Sequence, residues 1–568
     1  ITIDSPVTIN NPGGAGGLLT LTAGNGVFLN ADITTDDNHL LITADTITVG
    51  DGTVLQTTGI GNMTFNTVTN TTGTGAFTLL ATGTGNITVD TLVLGGSSTL
   101  STSGGDISLS TVDGGFDLSL STGAGDISAT GAIGGGTRIG TLSILSAQNA
   151  IFQSINAGSV LQTVPATGTT SFAGIVNTNG SGGIDLTGAD LTGPLTLQAT
   201  GTGGITLNNL TLTNPASFST TTGDISLQAV DGAFDLSLDA GSGNISAAGA
   251  IGSVARLSAL TVSSANDVSL QDLSVAGDAS IAISGTATIG GTMDTSSAIG
   301  NGGSASINSS GRNIIVHSVI TSGGGAAGNA GAITLQPASG SSSGMPNGRL
   351  GIYGNLIANG SGTGAYGDIS LSAIGRSGVM KIATIYGNPA DSSLNISGNI
   401  LTLGAYEAIT VFGSIAMNLL SAATVGDVIA LDALTITAPQ INLMLHGSGE
   451  LLSSSGFLYP TINLHLISRS GAPSLIGSQI RVGTGPIPGF LQFSSLISRS
   501  TWRSLLLHSG TMLNFDFPTA ATTANSQRII DIVTCDLFVP LSSHYFMPGI
   551  PIDKNNDWAK VSTLLSGE

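Results

Sequence analysis

A single cysteine, Cys535, stands among 568 residues. That excludes an internal disulfide framework and any metal site built from several thiolates. Basic residues are nearly as scarce. Before Arg312 the only ones are Arg138 and Arg256, with no Lys, in a chain whose formal net charge is −20. Proteins that grip nucleic acid displace phosphate counterions with Lys and Arg, so the first 311 residues are excluded from that role. Anionic membrane surfaces are poor partners for the same reason. No run of 18 apolar residues occurs, so no spanning helix is expected. The chain opens at Ile1 without Met or a signal segment, already inside a strand-like pattern (ITID, VTIN), which points to a processed or truncated start.

What the chain has is repetition. Gly105 to Ala132, GDISLSTVDGGFDLSLSTGAGDISATGA, returns at Gly223 to Ala250 as GDISLQAVDGAFDLSLDAGSGNISAAGA, an offset of 118 residues. The match runs further without a gap. Gly75 to Val89 matches Gly193 to Leu207, and Arg138, Ala147 and Gln153 match Arg256, Ala265 and Gln271. A block of roughly 80 residues, about 75–157, has thus been copied to about 193–275. Inside each copy lies a shorter period: Ile87, Ile107 and Ile127 stand 20 apart, as do Ile205, Ile225 and Ile245.

A fixed period near 20 with short apolar and polar alternation marks a solenoid, in which a coil buries its apolar side only by stacking on its neighbours. ISLS, FDLSLS and DISA each point every second side chain inward. Between them, GG, TGAG and VDGG supply turn conformations that branched residues resist. Apolar spacing of three and four is not sustained, which removes helices. A sandwich of antiparallel hairpins would also space strands evenly, but like residues recurring at one coil length favour stacking. The expected fold is all-β: a right-handed parallel β-helix (β-solenoid) with coils of about 20 residues, its hand following from the chirality of parallel connections. The repeat region spans 1–445. From about His446 the text changes, LISRS occurs at Leu466 and again at Leu496, and residues 446–568 read as wider coils ending in a cap or an assembly region.

LTLTAGNGVFLNADITT (Leu19–Thr35) resembles the repeats of filamentous-haemagglutinin-like exoproteins, and so do NGGSASIN (Asn301–Asn308), GNAGAITL (Gly328–Leu335) and GAYGDISLS (Gly364–Ser372). The resemblance covers about 400 residues. It implies a secreted adhesin-type right-handed β-helix of a Gram-negative surface. The amino-terminal secretion domain with which such proteins begin is not visible.

Candidate chemistry is sparse. Asp113 with Asp117, and Asp231 with Asp235, flank the VDGG and VDGA turns. Pairs of carboxylates do the acid and base work of glycosidases, whereas an Asp before Gly is also a turn residue, and duplication favours the turn. Gly-Asp pairs at Asp106, Asp126, Asp224 and Asp368 raise a structural Ca²⁺ on stacked turns, although the known nine-residue calcium repeat is absent. The histidines (39, 317, 446, 465, 508 and 544) show no ligand spacing; His446 and His465, 19 apart, could stand one above the other. Cys535 is read as packing in a strand. Thr64 to Thr74 is too broken for a flat hydroxyl row. No catalytic, cofactor-binding or metal-binding residue is assigned, and no cofactor is expected, a structural Ca²⁺ being the less favoured alternative.

The expected function is therefore structural or adhesive, not enzymatic, on a bacterial cell surface or outside the cell. Expected partners are further copies, stacked head to tail into a filament from an uncapped first coil, or a glycan or protein ligand. A carbohydrate-active β-helix enzyme and a trimeric phage tail fibre are the rivals. With 4% aromatic residues and most bases late in the chain, an enzyme groove would have to lie after Arg312.

Overall fold

The structure, a computed structural model, describes residues 1–11, 16–69, 75–162, 168–187, 191–311, 313–337 and 349–373, with side chains to Leu371. Beyond these it describes the backbone of strands from Val379–Ile382 to Met512–Phe515. Cys535, both tryptophans, His508, His544, Arg312, Gly340–Gly348 and most of the expected 446–568 region lie outside the described residues.

All the described elements are strands, stacked in parallel as a β-solenoid of about 12 turns with coils of about 21 residues. The chain forms two compact units, 1–266 and 267–568. In the first, a coil has three sides. The coil of Ile87 places Ile87–Val89 on one side and Thr91–Val93 on the next, within one bent strand, and Ser98–Thr102 on the third. Ile87 pairs with Ile107, and Ile107 with Ile127, in strict register. Alternation drives this: Ile87, Leu92, Leu100, Ile107, Val112 and Leu118 point inward and are buried. Burying each such side chain contributes about 1.5–3 kcal/mol. Phe152 and Phe172, opposed on successive coils, stack with ring centroids 5.8 Å apart. The 23-residue step from Ile127 to Ala150 accommodates the loop at Gly134.

One corner recurs. At the end of a side, a buried Thr turns its hydroxyl back onto the carbonyl of a Gly a few residues on: Thr57 to Gly61 (2.6 Å), Thr122 to Gly125 (2.6 Å), and likewise Thr102 to Gly105 and Thr220 to Gly223. Those glycines stack. A Cβ on Gly85 would overlap the carbonyl oxygen of Gly61, one on Gly105 that of Gly85, and one on Gly125 that of Gly105. Gly223 and Gly243 continue the rule, each against the glycine one coil before. These glycines are needed for close approach, not for a left-handed backbone. Left-handed φ belongs instead to Gly114, Gly123, Gly232 and Gly241 in the turns proper.

At the start of the second unit the coils lengthen, Ala279 pairing with Ala305, Ala305 with Ile333 and Ile333 with Ile369. The described part of the extra length, 295–304, 321–332 and 358–368, forms stacked loops. The loop at Gly323–Gly331 is laid on neighbouring loops, with the Asn329 N–H on Asn301 Oδ1 (3.0 Å) and the Ala365 N–H on Asn329 Oδ1 (2.8 Å). Gly303, Gly331 and Gly367 rebuild the glycine column there, with Thr295 and Thr321 bonding to the first two.

Gly105→Ala should lower stability by about 1–3 kcal/mol, because the added methyl must push two coils apart. Gly115, whose Cβ would meet nothing within 4 Å, is the control; Gly115→Ala should stay within about 0.5 kcal/mol. Thermal and urea midpoints of the two variants measure the difference.

Candidate functional site: the twin acidic turns

The strongest chemical candidate in the sequence was the pair of VDGxFD turns. Val112 is buried and ends a side; Gly114 takes φ 116° and Gly232 φ 123°, conformations that a side chain would strain. The chain then swings out through Phe116, half-buried, and exposed Asp117 before Leu118 returns to the core.

The carboxylates face the backbone of the next coil. Asp113 Oδ1 accepts the N–H groups of Gly136 (2.7 Å) and Thr137 (2.8 Å). In the second copy, Asp231 Oδ1 accepts those of Val254 (2.7 Å) and Ala255 (3.2 Å). Asp117 Oδ1 accepts the Thr141 N–H at 2.6 Å. Chemically, this arrangement ties one coil to its successor, satisfying N–H groups that a loop would otherwise leave to water.

The Gly-Asp positions do the same along a second column. Asn86 N–H donates to Asn62 Oδ1, Asp106 N–H to Asn86 Oδ1 and Asp126 N–H to Asp106 Oδ1, each at 2.8 Å. Asn149 N–H follows on Asp126 Oδ1 (2.9 Å), and in the second copy Asn244 N–H on Asp224 Oδ1 (2.7 Å). Carboxylate and carboxamide alternate freely in this column because the bond requires only an oxygen acceptor. His39 occupies its foot, its Nδ1 accepting the Asn62 N–H at 3.0 Å. Among the described residues, no three His, Cys, Asp or Glu side chains stand close enough to share a metal ion.

The other candidates are placed as follows. His317 is exposed on its strand. His446 lies opposite Ile467 and His465 opposite Met444, so the two histidines do not stack; the strand register sets a 21-residue step where 19 would be needed. Thr64 heads a row of outward residues, Thr88, Ser108, Ser128 and Ile151, in which the isoleucine breaks the run of hydroxyls. Asp368 lies one residue before Ile369, as Asp106 does before Ile107. Arg138 is one of the two bases before Arg312. Its guanidinium donates to Ala157 O and Asn177 O, both at 2.8 Å, and to Asn177 Oδ1 at 3.2 Å, spanning the next two coils. Only its recurrence as Arg256 hinted at such a role.

Asp113→Ala should cost about 1 kcal/mol, since it strips a common acceptor from two N–H groups, whereas Asp113→Asn should be nearly neutral. Equal losses for the two substitutions, read from unfolding midpoints, would contradict the stacking role.

No protein-family model, no curated protein and no solved structure matches the chain, so its functional reading rests on residues and geometry.

Proposed function

We propose that the chain is a structural or adhesive protein of the filamentous-haemagglutinin-like kind, outside the cell or on a bacterial surface, and that it associates head to tail into filaments. It is not an enzyme in this reading, and its further partner is a surface glycan or protein. The observation that carries the proposal is the direction of the side-chain ladder. In Asn62–Asn86–Asp106–Asp126–Asn149 every oxygen points to the following coil and every N–H to the preceding one. A coil so built has unlike upper and lower surfaces, and stacking unlike surfaces is the heterologous contact that gives open-ended assemblies. Duplication supports the same reading, since copying a block of coils adds length.

Negative-stain electron microscopy of the full chain across a concentration series tests this. The proposal predicts filaments of uniform width that lengthen with concentration. Single particles of one length at every concentration would refute it.

A further inference from the structure

The two copies do not face the same way. Ile87 belongs to a column that continues through Ile107, Ile127, Ala150, Thr170 and Leu191. Leu191 lies five coils above Ile87 and 104 residues after it, about 21 residues per coil. The duplication offset of 118 carries the chain 14 residues further, past two of the three sides. Ile205, the counterpart of Ile87, accordingly stands on Ile184, Val160, Leu142 and Leu118, the column of another side. The turns obey the same shift. The column of Val112 runs through Ile133, Ile155, Val176, Leu197 and Phe218 to Leu238, leaving Val230, the counterpart of Val112, on a different side. At about 4.8 Å per coil, the twin turns are offset by about 27 Å along the stack.

The turn is kept in both copies, as is GDISL before it. VDGxFDLSL is shared, while around it Ser110, Thr111, Ser121, Ala124, Asp126 and Thr130 became Gln228, Ala229, Asp239, Ser242, Asn244 and Ala248. Packing accounts for Val112, Leu118 and Leu120, and backbone conformation for Gly114. It does not account for the half-buried Phe116 and Phe234, each lying in sequence between two aspartates. In the second copy the same bump carries Val254, 89% exposed, whose N–H is held by Asp231. An apolar centre rimmed by acids fits a segment bearing aromatic and basic side chains.

We propose that the twin turns are two docking surfaces for the Leu496–Ser504 stretch (LISRSTWRS) of other copies of this chain. The charges complement each other: every acid before Arg312 is an Asp facing only two arginines, whereas residues 451–515 carry Arg469, Arg481, Arg499 and Arg503 with no Asp or Glu. Because the surfaces lie on different sides, one chain engages two others laterally. The inference rests on the self-association proposed above only for the identity of the partner.

The test is a titration of fluorescein-labelled LISRSTWRS, followed by its fluorescence anisotropy, at low salt into the full chain carrying Arg499→Ser and Arg503→Ser, so that the chain's own stretch leaves the surfaces open. Two peptides should bind per chain. Asp113→Asn with Asp117→Asn should leave one site, and adding Asp231→Asn with Asp235→Asn should leave none. Asn keeps the oxygen that accepts the backbone N–H, so these variants should fold, and an unchanged unfolding midpoint verifies it. A peptide with both arginines replaced by serine should not bind. Absence of binding to the parent chain, or two sites persisting in the fourfold variant, overturns the proposal. Filaments formed by a chain that binds no peptide overturn this surface while leaving head-to-tail association standing.

Discussion

Each coil turns its corner one strand spacing above the last, and the space at that corner is filled by a carbonyl oxygen. Only a residue without a Cβ fits there, so Gly85, Gly105 and Gly125, then Gly223 and Gly243, stand in columns. The rest of the coil follows from this contact. A Thr on the inner side ties its hydroxyl to the same carbonyl, and an Asp or Asn immediately after the Gly reaches the next coil's N–H. The adjoining Ile then begins the next side with its side chain inward. The corner is thus a small polar machine that sets register for the apolar columns, which supply most of the burial.

Much of this was legible in the text. Ile at intervals of 20, preceded by Gly-Asp or Gly-Asn, announced both the period and the parallel stacking, because in-register columns demand like residues at one spacing. What the text hid was the reason for each polar residue. Gly105 reads as a turn former, yet its role is steric; Asp106 reads as a ligand for calcium, yet its oxygen belongs to the Asp126 N–H. Sequence spacing carries no information about which neighbour a side chain reaches when that neighbour is a coil away. The histidine pair fails for the same reason, since register, not separation, decides what stands above what.

The candidate site shows the limit more sharply. Two acids four residues apart are shared by glycosidases and by turns, and only the hydrogen bonds separate the two uses. Asp113 gathers two N–H groups of the following coil and Asp117 one, so their geometry is that of fasteners. The turning of the second copy is likewise absent from the spacing: the offset of 118 does not say which side a residue lands on, and the registers give five coils and two sides. Interchangeable sides make such a copy tolerable, since each side asks only for alternating apolar residues and a corner at its end.

The account stands on in-register parallel stacking, and one distance tests it directly. Thr88 and Ser171 lie 83 residues apart in sequence but in one outward row, four coils apart. With Cys535 replaced by serine and spin labels on cysteines at positions 88 and 171, the account predicts a single narrow distance near 19 Å, four steps of about 4.8 Å. A broad distribution, or a mean beyond about 30 Å, would contradict the stacked coil and everything built on it.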